Sequence, residues 1–267
     1  MKRIIVAGKG GVGKTAIIAT LSMLLAKDGY RVLVIDCDPS MNLAMSFGVS
    51  LSHAHPLAEN IENTYERLGL GKEMEDEQEH THEDEIEIDK VIEDYIVETK
   101  DGVKLLIMGT IPYGGSGCLC SSIALVKLLI GYITSGSGDN DFVMVDSQAG
   151  VEIFGRGLAS EFDATLVITE PMPKAVEVTR HVMKLSRDLG VKKQIVIVNK
   201  VEDGTECETI RRELDCNVNQ MYSVRYDRNV IEADKKGLLI LDYAPHALFV
   251  EDVQKIKKEI LEVYQNV

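Results

Sequence analysis

Arg3 to Thr15 run RIIVAGKGGVGKT: a β-branched apolar run, then four glycines in six positions, then Lys-Thr at the head of a helical pattern. From Gly8 to Thr15 this satisfies G-x-x-x-x-G-K-[ST] directly after an expected strand and before an expected helix, the context in which the pattern cradles phosphates. Gly10, Gly11 and Gly13 let the backbone aim successive N–H groups at phosphate oxygens, and the following helix adds the positive end of its dipole. Lys14 supplies a point charge for the β and γ phosphates, and the Thr15 hydroxyl can join the shell of a Mg²⁺ ion. A glycine-rich turn without a ligand would need neither. The expected ATP-contacting run is therefore Gly8, Lys9, Gly10, Gly11, Val12, Gly13, Lys14, Thr15 and Ala16.

Working outward, the same strand-then-helix alternation recurs at RVLVID (31–36), KLLIMGT (104–110), FVMVDS (142–147), ATLVITE (164–170) and QIVIVNK (194–200). Continuous apolar strands alternating with helices imply a parallel sheet covered on both faces, joined by right-handed crossovers. The expected fold is α/β, a doubly wound, mostly parallel sheet flanked by helices, forming one domain over 1–267. Helical spacing places helices near Lys14–Asp28, Ser121–Tyr132, Lys174–Leu189, Glu206–Leu214, Asn229–Lys236 and Glu251–Val263. Val49 to Gly102 reads as an insertion or lid.

Net charge is −14. Glu73 to Asp94 alone holds twelve carboxylates against one lysine, or −11, which leaves −3 for the remainder. Such a chain is poorly suited to binding nucleic acid or anionic membrane by bulk electrostatics. His80 and His82 within the acidic run could buffer metal ions, although a solvated charge run needs no such role. No apolar run approaches the twenty or so residues a membrane span requires, and the N-terminus shows no apolar leader, so a cytoplasmic address is expected. The five cysteines are sparse and odd in number, which favours reduced thiols over a disulfide framework.

Two strand ends carry carboxylates: Asp36 and Asp38 in VIDCDP, and Asp146 in FVMVDSQAG, with Gly150 four residues on. Thr15, Asp36 and Asp146 are the candidate Mg²⁺ ligands. Each aspartate could instead cap a turn or helix. Between KLLIMGT and the next helix, IPYGGSGCLCSS carries Cys118 and Cys120 two residues apart. Two thiolates grip Zn²⁺ or a comparable soft-ligand ion only in part, because such a site prefers four donors. A two-fold axis would supply the rest from a second copy.

KGGVGKT, with a second lysine at Lys9, resembles the deviant Walker A of the MinD/ParA/NifH group of dimeric ATPases. That resemblance implies that Lys9 reaches across to the partner subunit's nucleotide, that Lys9, Lys14 and Asp38 form the catalytic set with Asp38 orienting the attacking water, and that Asn199 reads the adenine edge. Together with C-x-C, the DSQAG switch, Glu152 and Arg156, the chain is similar to the CooC and AcsF maturation ATPases. For them the cysteine pair implies a Ni or Zn site at a homodimer interface, and a client enzyme, carbon monoxide dehydrogenase or acetyl-CoA synthase. Neither nucleic acid nor membrane is expected as a partner. Two alternatives belong to other classes. An electron-transfer protein like the nitrogenase iron protein has a cysteine where Ala149 stands in DSQAG, although Cys118 and Cys120 from two chains could still hold an iron–sulfur cluster. A positioning ATPase would need a basic surface or an amphipathic anchor, and the C-terminal helix, with Val253, Ile256, Ile260 and Val263 on one face, reads as core.

Overall fold

The computed structural model describes residues 1–50, 54–60, 92–109, 128–132, 141–147, 158–214 and 220–265, with single helical positions at Thr64, Lys90, Leu125 and Phe154. Its strands are β1 (Lys2–Gly8), β2 (Val32–Asp36), β3 (Val97–Glu98), β4 (Lys104–Ile107), β5 (Phe142–Asp146), β6 (Ala164–Thr169), β7 (Lys193–Val201) and β8 (Met221–Arg225). They form one sheet in the order β3-β4-β2-β5-β1-β6-β7-β8. Every pairing is parallel except β3 on β4. The helices that position the site are α1 (Lys14–Lys27), α2 (Asn42–Ser46), α3 (Pro173–Asp188), α4 (Gly204–Glu213), α5 (Arg228–Lys235), α6 (Ile240–Tyr243) and α7 (Leu248–Gln265).

Alternate residues of β1 serve opposite faces. Ile4 and Val6 join Ile17 and Leu21 of α1 and Val253, Ile256 and Ile260 of α7. Ile5 and Ala7 join Leu125, Leu129 and, from α3, Val176 and Val182. Both faces are dry, which is why the strands read as unbroken apolar runs. α1 is buried from Ile17 through Leu25, with little polar face, because it lies on the sheet and under α7. Lys257 of α7 is buried at that contact, its ammonium bonded to Asp28 at the end of α1. The apolar face of α7 is thus core. Among the described residues no helix is long and apolar enough to cross a membrane.

Observed bounds differ from the expected ones where caps decide. α4 starts at Gly204 rather than Glu206, because the Asp203 side chain accepts from the Thr205 N–H while Glu206 accepts from the Asp203 N–H. α7 starts at Leu248, one turn before Glu251. β8 and the two-residue β3 were not expected, being too short or too exposed to show a pattern. Of the helix expected over Ser121–Tyr132, Leu125 and 128–132 are described, and they are helical.

The expected insertion is core at both ends. Leu57 is fully buried, Ile92 and Tyr95 nearly so, and all three join the cluster under β2 and β4. The Ala58 N–H donates to the Met108 carbonyl, and the Thr64 and Tyr95 hydroxyls lie 2.9 Å apart. Residues 65–89, including His80 and His82, lie outside those described. Leu57→Ala is expected to destabilise the chain by about 2–5 kcal/mol in urea denaturation, the cost of a core cavity. A loss below roughly 0.5 kcal/mol, as on a surface, would remove this segment from the core.

Candidate functional site

The sheet order sets β5 between β1 and β2, so three strand ends carry the chemistry side by side: Val6 and Asp36 are both register partners of Asp146. A crevice at the carboxyl ends of parallel strands, where the connections diverge, is where such sheets bind ligands.

The phosphate loop leaves β1 under tight packing. A Cβ at Gly8 (φ +151°) would meet the Ile168 carbonyl oxygen of β6 at 2.1 Å. One at Gly13 (φ +94°) would meet Asn199 Nδ2 at 2.3 Å. Gly11 is also left-handed (φ +82°). Gly13 caps α1 without any side-chain hydrogen bond, and the first turn holds no acid. The leading N–H groups of α1 and its dipole therefore face the crevice, ready for an anion.

Lys14 is buried, with its ammonium 3.4 Å from the Gly8 carbonyl. Burial lowers its pKa, and the nearby Asp146 and Asp38 carboxylates partly restore it. The Thr15 hydroxyl donates to Asp146 Oδ2 at 2.9 Å. Asp146 is buried, and its Oδ1 has no hydrogen-bond partner. An orphaned buried carboxylate oxygen beside a hydroxyl is a hard, oxygen-only donor set of the kind that suits Mg²⁺. Burial pushes the Asp146 carboxyl up to about 6, against the opposing pull of Lys14 and Thr15. Asp36 is pushed to about 8 by burial and then by the charge of Asp146. Both Asp36 oxygens already accept backbone N–H groups, from Asp38 at 3.0 Å and Leu43 at 3.2 Å. Asp38 sits in a turn, its Oδ1 accepting the Ser40 N–H and hydroxyl.

Ala16 and Thr15 line a cleft of about 530 Å³ bounded by α2, α5 and Leu239, within the size range of small-ligand sites. Asn199 does not line it. Its Nδ2 donates to the Val12 carbonyl at 2.8 Å, so this residue, expected at an adenine edge, also braces the phosphate loop. Two neighbours escaped the sequence: Glu170, whose Oε1 lies 3.9 Å from the Lys9 ammonium, and Lys200, 2.8 Å from Glu170 Oε2 and 2.6 Å from the Gly11 carbonyl. Lys200 belongs to the quoted NK pair, but nothing in the pattern assigned it a direction. Cys118, Cys120, Gly150, Glu152 and Arg156 lie outside the described residues. Among the described residues no group of three or more His, Cys, Asp or Glu could hold a metal ion.

Fold and loop together define a P-loop ATPase. Residues 3–240 match the family model described as the CobQ/CobB/MinD/ParA nucleotide binding domain, and the chain belongs to that family. It is 33% identical over 263 residues to the carbon monoxide dehydrogenase accessory protein CooC of Rhodospirillum rubrum, covering 95% of this chain and 97% of that one. An uncharacterised ATP-binding protein of Methanocaldococcus jannaschii is 35% identical over 88% of this chain and 89% of its own. Among solved structures, the septum site-determining protein MinD of Pyrococcus horikoshii, complexed with Mg-ADP, superposes with a TM-score of 0.72 at 20% identity, covering 97% and 95% of the two chains. At that identity the likeness shows the fold alone.

Asp36 and Asp146 hold protons more tightly folded than unfolded, so the metal-free chain loses stability as pH rises from about 4 towards about 8. Asp36→Asn is expected to flatten that fall in thermal denaturation without divalent cation. An unchanged pH dependence of Tm would take Asp36 out of the account.

Proposed function

We propose that the chain is a homodimeric ATPase that loads nickel into a client enzyme, carbon monoxide dehydrogenase or acetyl-CoA synthase. The observation that carries this is its similarity to the Rhodospirillum rubrum accessory protein over nearly the full length of both. The C-x-C pair at Cys118 and Cys120 supports it. In this reading each chain contributes two thiolates to one site on a two-fold axis. Thiolates suit Ni²⁺ as they suit Zn²⁺, and the ion is cargo.

The same reading assigns roles around the phosphate loop. The N–H groups from Gly10 to Thr15 and the Lys14 ammonium bind the β and γ phosphates. Thr15 and Asp146 hold Mg²⁺, which when bound offsets phosphate charge. Asp36, with both oxygens engaged by N–H groups, lies beside them at the end of the neighbouring strand. Asp38, fixed by its turn at the exit of β2, orients the water that attacks the γ phosphorus. The bond to the β-bridging oxygen breaks, giving ADP and phosphate. Asn199 braces the loop through Val12, and the cleft beside Ala16 takes the nucleoside. Lys9 of the partner subunit neutralises charge that develops in the transition state, so turnover requires two copies. The dimer closes on ATP, gathers the four thiolates, and opens after hydrolysis to release the ion.

Two experiments test the reading separately. Cys118→Ser with Cys120→Ser is expected to abolish the binding of one Ni²⁺ ion per dimer that the reading predicts for equilibrium dialysis, with ATP affinity retained; undiminished metal retention rejects the cargo site. Lys9→Ala is expected to lower turnover by about a hundredfold or more while nucleotide affinity stays within about threefold. Turnover equal to that of the unaltered chain rejects the action across the interface.

A further inference from the structure

Asn199 and Lys200 are consecutive residues of β7, and in a regular strand their side chains would leave opposite faces of the sheet. Here both reach the phosphate loop: Asn199 Nδ2 donates to the Val12 carbonyl and the Lys200 ammonium to the Gly11 carbonyl. The backbone explains how. The β7–β8 ladder shifts register between Val198 and Val201, and Lys200 takes a left-handed conformation (φ +59°) that side-chain-bearing residues rarely adopt. An irregularity of this kind re-aims side chains beside active sites. The conformation is costly for lysine, and it persists where surrounding contacts hold it.

Those contacts meet at one carboxylate. Glu170 follows β6, whose register with β1 (Ile168 beside Gly8) sets it next to the loop. Its side chain is only 15% exposed and faces two ammonium groups, Lys200 at 2.8 Å from Oε2 and Lys9 at 3.9 Å from Oε1. The Lys200 contact is a charge-assisted hydrogen bond, whereas the longer Lys9 contact lacks one. One lysine is fixed and the other is loosely held. Lys9 is also the residue that, in the function proposed above, must act on another subunit.

We propose that Glu170 is a positioning residue for Lys9: in the single subunit it parks the Lys9 ammonium beside its own phosphate loop, and Lys200 neutralises it when Lys9 departs to a second copy's nucleotide. This rests on the trans role of Lys9. Without Lys200, departure would strand a largely buried carboxylate beside incoming phosphates, at the cost of an unpaired charge. With Lys200 bonded to both Glu170 and Gly11, the carboxylate stays paired and the loop keeps its shape. The weaker partner is the one that leaves, so the device sets how readily ATP draws two copies together.

The test is the ATP-dependent dimer dissociation constant, measured by sedimentation with Mg²⁺ and a non-hydrolysable ATP analogue. Glu170→Gln keeps the shape and frees Lys9. Given the modest worth of a partly exposed ion pair and two such pairs per dimer, it is expected to tighten the dimer by about four- to twentyfold. Adding it to Lys9→Ala is expected to change nothing further, and Glu170→Asp should restore the original constant. Lys200→Met, which leaves Lys9 as the sole partner of Glu170, is expected to weaken the dimer, and it decides the matter if Glu170→Gln does not fold. An unchanged or weakened dimer with Glu170→Gln, or the same tightening in the Lys9→Ala background, overturns the proposal. Full turnover by Lys9→Ala alone overturns instead the trans role on which it rests.

Discussion

Between Gly8 and Gly13 the chain passes under two contacts that leave no space for a side chain, the Ile168 carbonyl at one end and the Asn199 amide at the other. Everything else at the crevice follows from that close seating. It carries the phosphate loop over the strand ends, and it starts α1 with its N–H groups uncovered. It also brings Thr15 onto Asp146. The seating requires β1 to lie between β5 and β6, since one neighbour brings the carboxylate and the other the carbonyl that closes over Gly8. The loop motif and the strand order are therefore a single constraint, expressed once in sequence and once in topology.

The electrostatics obey the same geometry. Three carboxylates and a lysine converge where water is scarce, and the lysine offsets only part of the repulsion. Asp36 and Asp146 answer by holding protons well above the usual carboxylate range. A site that keeps negative charge under pressure is poised to take up a cation together with a polyphosphate, because each supplies the counter-charge the other lacks.

The α/β architecture was legible because strands buried on both faces carry unbroken β-branched runs, and because the loop motif needs a strand before it and a helix after it. All six strand runs quoted from the sequence coincide with interior strands, KLLIMGT lying beside the two-residue edge β3. The candidate site was legible where a motif marks it, as at Lys14 and Thr15, and the structure sets the Thr15 hydroxyl against Asp146 at the end of another strand. It was illegible where conformation decides. No pattern announces that β7 kinks at Asn199–Lys200, so neither the contact of Asn199 with Val12 nor the Lys200–Glu170 pair could be read. Glu170 looked like an ordinary residue after a strand. The flanks of the acidic run were equally hidden, since the charges between Glu73 and Asp94 mask the few apolar residues, Leu57, Ile92 and Tyr95, that anchor them.

Those anchors have a consequence for how the family can vary. With Thr64 and Tyr95 joined hydroxyl to hydroxyl, the departing and returning chain form a neck. The entropic cost of bringing residues 64 and 95 together grows only with the logarithm of the chain length between them, so doubling that length would add only about 0.6 kcal/mol. The sequence between positions 64 and 95 is therefore free to change in length or charge at little cost to the strand ends at the crevice.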